Sequence, residues 1–92
     1  MWAAYLRAKK AAEVAITETD LDWTILRPGS LTDDPATGRI TLAPPPMALG
    51  PVTRADTAAT LVALLDEPGT VGQVLELREG DVPVDAAVKA LA

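Results

Sequence analysis

Leu21-Asp22-Trp23-Thr24-Ile25-Leu26-Arg27-Pro28-Gly29 is the stretch on which the fold turns. Trp23 to Leu26 carries aromatic and β-branched side chains, which suit a pleated, half-buried surface, and it predicts a short strand. Arg27-Pro28-Gly29 ends that strand, because proline lacks a backbone donor and glycine tolerates dihedrals closed to other residues. Beyond it, Asp33-Asp34-Pro35 and Thr37-Gly38 are turn signals. Arg39 to Ala43 alternates polar and apolar residues and predicts a second short strand. Pro44-Pro45-Pro46 then imposes an extended path.

Val52-Thr53 reads either as a small strand or as the run into a helix. Thr53-Arg54-Ala55-Asp56 fits the S/T-x-x-D/E capping pattern. The helix it opens is expected to run to about Asp66, with Ala58, Leu61, Val62, Leu64 and Leu65 facing the core. Pro68-Gly69 stops it. Gln73 to Arg78 is the next expected strand, followed by a turn at Gly80-Asp81. Asp85 to Leu91 closes the chain as a short helix with Val84, Val88 and Leu91 on one face.

Toward the amino terminus, Trp2, Tyr5, Ala8, Ala12 and Ala15-Ile16 recur at helical spacing and predict a helix from Trp2 to Glu18. No Ser, Thr, Asp or Asn cap precedes it, as if a segment upstream were missing. Thr19 to Asp22 is a polar connection. The expected order is helix, strand, hairpin-like region, helix, strand, helix. A strand–helix–strand crossover implies two parallel strands. Parallel sheets hold several strands and are covered on both faces. The chain is therefore expected either to pair with another copy or to belong to a larger α/β fold.

Composition narrows the chemistry. Of 92 residues, 49% are hydrophobic, so a core is possible, but it is built mostly from Ala, Val and Leu; the aromatics are Trp2, Trp23 and Tyr5. A chain this short buries a modest fraction of its surface. There is no Cys and no His, which removes disulfides, thiol chemistry, the commonest general base and the usual zinc ligands. No calcium-loop pattern is present, so no metal site is expected. The net charge of −5 argues against nucleic acid as a partner. No apolar run is long enough to span a membrane, and no secretory pattern opens the chain, so a soluble cytoplasmic protein is expected.

Tyr5-Leu6-Arg7-Ala8-Lys9-Lys10-Ala11-Ala12-Glu13 contains Tyr-x-x-x-Lys, with a Glu four residues after the Lys. Followed by the Arg27-Pro28-Gly29 strand end and by Arg54-Ala55-Asp56 before an apolar helix, this succession resembles the atypical and extended short-chain dehydrogenase/reductases. These include the NmrA-like and NAD-dependent epimerase/dehydratase groups. The Val74 to Leu77 strand falls where that family places its last parallel strand. The resemblance covers nearly the whole chain. It implies an α/β fold, namely the C-terminal fragment of a Rossmann-like doubly wound parallel sheet, with residues 1–92 as a single unit. No G-x-x-G-x-x-G or G-x-G-x-x-G occurs, so the Gly-rich half that grips the pyrophosphate is expected to lie outside the chain.

The resemblance implies NAD or NADP as cofactor and assigns roles. Tyr5 would transfer a proton at the substrate oxygen. Lys9 would hold the nicotinamide ribose and favour the phenolate of Tyr5, as a nearby ammonium does. Pro28 and Gly29 would line the nicotinamide side. Ser30, Leu31, Arg54 and Asp56 would stand on the substrate side, with the region from Pro28 to Gly50 covering the substrate. Plainer readings exist for each: a packed Tyr and solvated Lys on an amphipathic helix, a strand-ending turn at Gly29, and a helix cap at Asp56. Two functions stay open. One is an NAD(P)-dependent oxidoreductase or epimerase/dehydratase-like protein, inactive as this isolated chain and completed by its N-terminal half. The other is a non-enzymatic assembly module that forms homo-oligomers through exposed strand edges.

Overall fold

The computed structural model describes the backbone of residues 2–6 and the backbone and side chains of residues 22–92. Seven strands are described: β1 Trp2–Leu6, β2 Asp22–Pro28, β3 Leu31–Thr32, β4 Arg39–Ala43, β5 Val52–Thr53, β6 Val74–Glu79 and β7 Val82–Pro83. The helices are α1 Arg54–Leu65 and α2 Val84–Ala90, with a 3-10 turn at Pro68–Thr70. The main sheet runs β1-β2-β6-β4-β7. β1, β2 and β6 are parallel, with Leu6 opposite Leu26 and Leu26 opposite Leu75. β4 lies antiparallel to β6, and β7 antiparallel to β4. β3 and β5 form a separate parallel pair.

The parallel β2–β6 pair is the one expected from the strand–helix–strand reading. The hairpin-like region is different from expectation. β4 does not fold back on β2; it crosses the sheet and pairs with the far side of β6. The rigid path through Pro44-Pro45-Pro46, with a cis bond between Pro45 and Pro46, then carries the chain back to β5. A strand pattern specifies which residues alternate, but not which edge accepts them.

The expected helix over Trp2–Glu18 is corrected at its start. Trp2–Leu6 is extended and pairs in register with Asp22–Leu26. Without that strand β2 would be an edge of the sheet, with a row of unpaired backbone groups. Trp and Tyr also favour strands. Residues 7–21, including the rest of that helix, Lys9 and the Thr19-Asp20-Leu21 connection, lie outside the described residues.

One face of the sheet carries the core. Leu26 of β2, Leu75 and Leu77 of β6, and Ile40 and Leu42 of β4 point to the same side and are buried. They join Val52, Leu64 of α1, and Val84, Ala87 and Val88 of α2 in one cluster. α1 packs over β1 and β2, and α2 over β4. Residues that alternate with these leucines along β2 and β6, among them Arg27, Glu76 and Arg78, face the other side.

α1 departs from its expected inner face. It buries Asp56, Thr57, Thr60 and Leu64, while Val62 is 60% and Leu65 55% exposed. Leu61 is partly buried against the cluster. The inward threonines are satisfied locally: Thr57 Oγ1 donates to the Thr53 carbonyl (2.9 Å) and Thr60 Oγ1 to the Asp56 carbonyl (2.8 Å). The rotation of the helix is set by Asp56, whose anchoring is described next.

Candidate functional site

In parallel sheets, ligands bind outside the carboxyl ends of the strands. Here that edge is formed by the ends of β2 and β6. Pro28 closes β2 opposite Leu77, and the Gly29 N–H donates to the Leu77 carbonyl at 3.0 Å. The chain at Gly29 passes so close to Gly50 that a Cβ there would collide with the Gly50 carbonyl oxygen. Glycine at this position is thus required by backbone crowding. Ser30 is exposed, and its carbonyl accepts the Val52 N–H at 2.9 Å. Leu31 then pairs with Val52 in the β3–β5 ladder.

Leu31 and Arg54, both expected on the substrate side, do come together. With Thr57, Ala58 and Leu61 they line an open cavity of about 220 Å³ with a mainly apolar surface. Leu31 sits at its rim with 36% exposure. Arg54 Nε donates to Asp33 Oδ1 at 3.0 Å in a solvent-exposed ion pair. Another cavity of about 240 Å³, lined by Ala63, Asp66, Glu67, Asp85, Val88 and Lys89, holds none of the strand-end residues.

Asp56 is two residues from Arg54 but points the other way. It is 1% exposed. Its carboxylate accepts the backbone N–H groups of Thr37 and Gly38, each at 2.9 Å, and the Thr53 hydroxyl at 2.8 Å; the Thr37 hydroxyl lies at 3.2 Å. Its own N–H donates to Thr53 Oγ1 at 2.9 Å, the N-cap bond of α1. Gly38 adopts φ +72°, a conformation open to glycine, and so presents its N–H to the carboxylate. Burial pushes the Asp56 pKa up, but hydrogen bonds from the Thr37 backbone, the Thr53 hydroxyl, the Gly38 backbone and the Thr37 hydroxyl outweigh it and hold it below the ordinary 3.8. Asp56, in the first turn of α1 behind the Thr53 cap, ties the 37–38 turn to the helix, and its carboxylate does not line the Arg54 cavity.

Tyr5 lies on β1, in register with Ile25. The helical face on which Tyr5 and Lys9 would stand side by side therefore does not begin at Tyr5, and Lys9 is outside the described residues.

Two residues at this edge escape sequence reasoning. Glu76 is 8% exposed on β6, between Arg27 of β2 and Ala43 of β4 in register. Its Oε1 accepts the Met47 N–H at 2.8 Å. Arg78 Nη1 donates to the Ala48 carbonyl at 3.1 Å. Both hold the segment 44–50 against the sheet face opposite the core. The available signal was a charge set between Leu75 and Leu77, in a strand whose apolar residues already account for one face.

Among the described residues, no group of acidic side chains is placed to hold a metal ion, and no helix is long and apolar enough to cross a membrane. The residues fit a nicotinamide group in part. An open strand end with exposed Ser30 is present, but the sequence contains no Gly-rich loop to cradle a pyrophosphate.

Comparison with known proteins agrees with this fold. The uncharacterized sugar epimerase YhfK of Bacillus subtilis (strain 168) is 38% identical over 87 residues, which make up 95% of this chain and 40% of that protein. A solved structure from Bacillus halodurans, assigned as an NAD-dependent epimerase/dehydratase, superposes with a TM-score of 0.86 at 34% identity, covering 91% of this chain and 40% of that one. The oxidoreductase YlbE of Lactococcus lactis superposes with a TM-score of 0.85 at 32% identity, covering 91% and 38%. The chain thus spans about two fifths of the length of these relatives. The fold is that of the corresponding portion of a Rossmann-like sheet. Residues 1–68 match the NAD(P)H-binding family as a sequence family, and the chain belongs to it.

Proposed function

We propose that this chain forms the substrate-side portion of an NAD(P)-dependent epimerase or oxidoreductase, and that pyrophosphate contacts come from polypeptide outside these 92 residues. The observation that carries this reading is the carboxyl edge of β2 and β6. There Pro28, Gly29 and Ser30 leave the sheet beside the 44–50 segment, and Leu31 and Arg54 border an open cavity. In this reading Pro28–Ser30 stand beside the nicotinamide. Leu31 and Arg54 meet the substrate, Arg54 offering a cationic fork once released from Asp33. By family resemblance Tyr5, near the carboxyl end of β1, would transfer the proton at the substrate oxygen, and Lys9 would hold the nicotinamide ribose. The compartment is the cytoplasm.

The test is calorimetric titration of the purified chain with NADH and NADPH, with its mass in solution recorded alongside. The expected result is binding weaker than about 1 mM, a level at which the favourable free energy is only about 4 kcal/mol. Micromolar binding by the 92-residue chain would overturn the assignment of the pyrophosphate contacts to other polypeptide.

A second reading is self-association. Val62 at 60% exposure and Leu65 at 55% lie on the outer side of α1, and among the described residues β1 is an edge of the main sheet. Such surfaces favour pairing with another chain. A mass that stays monomeric up to high concentration would eliminate it.

A further inference from the structure

The segment from Pro44 to Gly50 crosses the sheet face opposite the core, and it is tied at its middle and at both ends. It leaves β4 at Ala43, which is paired with Glu76. Midway, the Met47 N–H donates to Glu76 Oε1 at 2.8 Å, and the Ala48 carbonyl accepts from Arg78 Nη1 at 3.1 Å. Gly50 abuts Gly29 without room for a Cβ between them. The Pro51 carbonyl accepts the Glu79 N–H at 3.0 Å, and Val52 enters β5. The two side-chain anchors, Glu76 and Arg78, are alternate residues on one face of the central strand β6, so one rigid element grips the segment from beneath.

A buried carboxylate is costly unless hydrogen-bonded. A bond from a backbone N–H to a carboxylate is stronger than one between neutral groups. The Leu75–Glu76–Leu77 alternation places that charge on the side away from the hydrophobic cluster. The charge has an evident local task, which is to fix the Met47 N–H. With backbone ties at both ends, the segment has little freedom to swing.

We infer that Glu76 is a positioning residue that holds residues 44–50 as a preformed wall beside the Pro28–Ser30 strand end on the cofactor side, with Arg78 as its second anchor. This inference rests on the reading of the β2/β6 carboxyl edge as the ligand side. Held by Glu76 and Arg78, the segment bounds the space beside Gly29.

The test is amide hydrogen exchange of the uniformly labelled chain, followed residue by residue without ligand. The Met47 amide is expected to exchange at least about tenfold more slowly than its intrinsic rate, as for a hydrogen-bonded group in a structured element. Glu76→Gln retains an acceptor oxygen and is expected to keep most of that protection. Glu76→Ala is expected to bring Met47 to its intrinsic rate while the Leu75 and Leu77 amides stay protected. An unprotected Met47 in the wild-type chain would overturn the inference, as would protection that survives Glu76→Ala. If Glu76→Ala unfolds the chain, the wild-type and Glu76→Gln rates decide alone. Because no cofactor is present, a negative result strikes the wall and not the ligand reading, which the NADH and NADPH titration tests separately.

Discussion

α2 buries the side chains that its sequence pattern marks as apolar, whereas α1 buries two threonines and an aspartate and leaves Val62 and Leu65 largely in solvent. Val84 and Val88 of α2 sit in the core cluster with Leu91 packed beside them. In α1, Leu64 is fully buried while its neighbour Leu65 is not. Both helices cover the same sheet face. They differ at their first turn. α2 begins at Pro83 with no side-chain cap bond, so packing alone orients it. α1 begins at Thr53 with Asp56 bonded across to Thr37 and Gly38. A single anchored carboxylate can therefore choose the rotation of a helix whose apolar residues lie on every side and leave its hydrophobic pattern indecisive.

The strongest way to break this comparison is Asp56→Ala. It keeps the backbone bond from residue 56 to the Thr53 cap but leaves the Thr53 hydroxyl and the Thr37 and Gly38 N–H groups without their carboxylate acceptor. A loss of about 3 kcal/mol is expected from charged hydrogen-bond magnitudes and the buried N–H groups left unpaired, read by urea denaturation. A loss under about 0.5 kcal/mol would mean that packing, not Asp56, orients α1.

Leu64→Ala set against Val62→Ser sharpens the contrast within one helix. Leu64→Ala is expected to cost about 2–4 kcal/mol, as for a fully buried leucine. Val62→Ser should stay within about 0.5 kcal/mol for the monomer. Comparable losses at the two positions would show that Val62 is covered in solution, and the mass of the Val62→Ser variant would then report whether another copy covers it.

Acid should act through the same anchor. Asp56 has its folded-state pKa held below the ordinary 3.8. Its contribution is therefore fully present above the unfolded-state value and is lost as pH falls below about 4, through the folded-state value. Asp56→Asn should be less stable near neutrality and should show a flatter stability profile across that acid range. A wild-type profile as flat as that of Asp56→Asn would remove the electrostatic part of the argument.

The smallest effect is expected at Arg54. Its pairing with Asp33 joins side chains that are 62% and 89% exposed. Arg54→Ala should change stability by no more than about 0.5 kcal/mol. A larger change would tie Arg54 to the fold and weaken its assignment to the substrate cavity.

Much of the fold is legible from short-range pattern. Arg39–Ala43 is a strand with the expected bounds, β2 and β6 lie where the Trp23 and Gln73 stretches point, and both described helices fall within a residue or so of their expected ends. These elements are announced by alternation, caps and breakers acting over a few residues. Of the candidate site, Pro28 to Leu31 and Arg54 are reached through the family resemblance, at positions where elements end and begin. Glu76 and Arg78 are not, because nothing local to Val74–Glu79 says that a loop thirty residues earlier will lie across that strand's polar face.

By itself, the sequence determined the family, the parallel β2–β6 unit, the capped start of α1 and the strand end at Pro28-Gly29. Only the tertiary structure decided that β4 crosses to the far side of β6, that Trp2–Leu6 pairs with β2, that α1 turns its threonines inward, and that Glu76 grips Met47. The reason is one of range. Propensities and caps involve neighbours along the chain, whereas the choice of sheet edge, helix rotation and buried acceptor depends on which distant backbone groups still need partners once the elements meet.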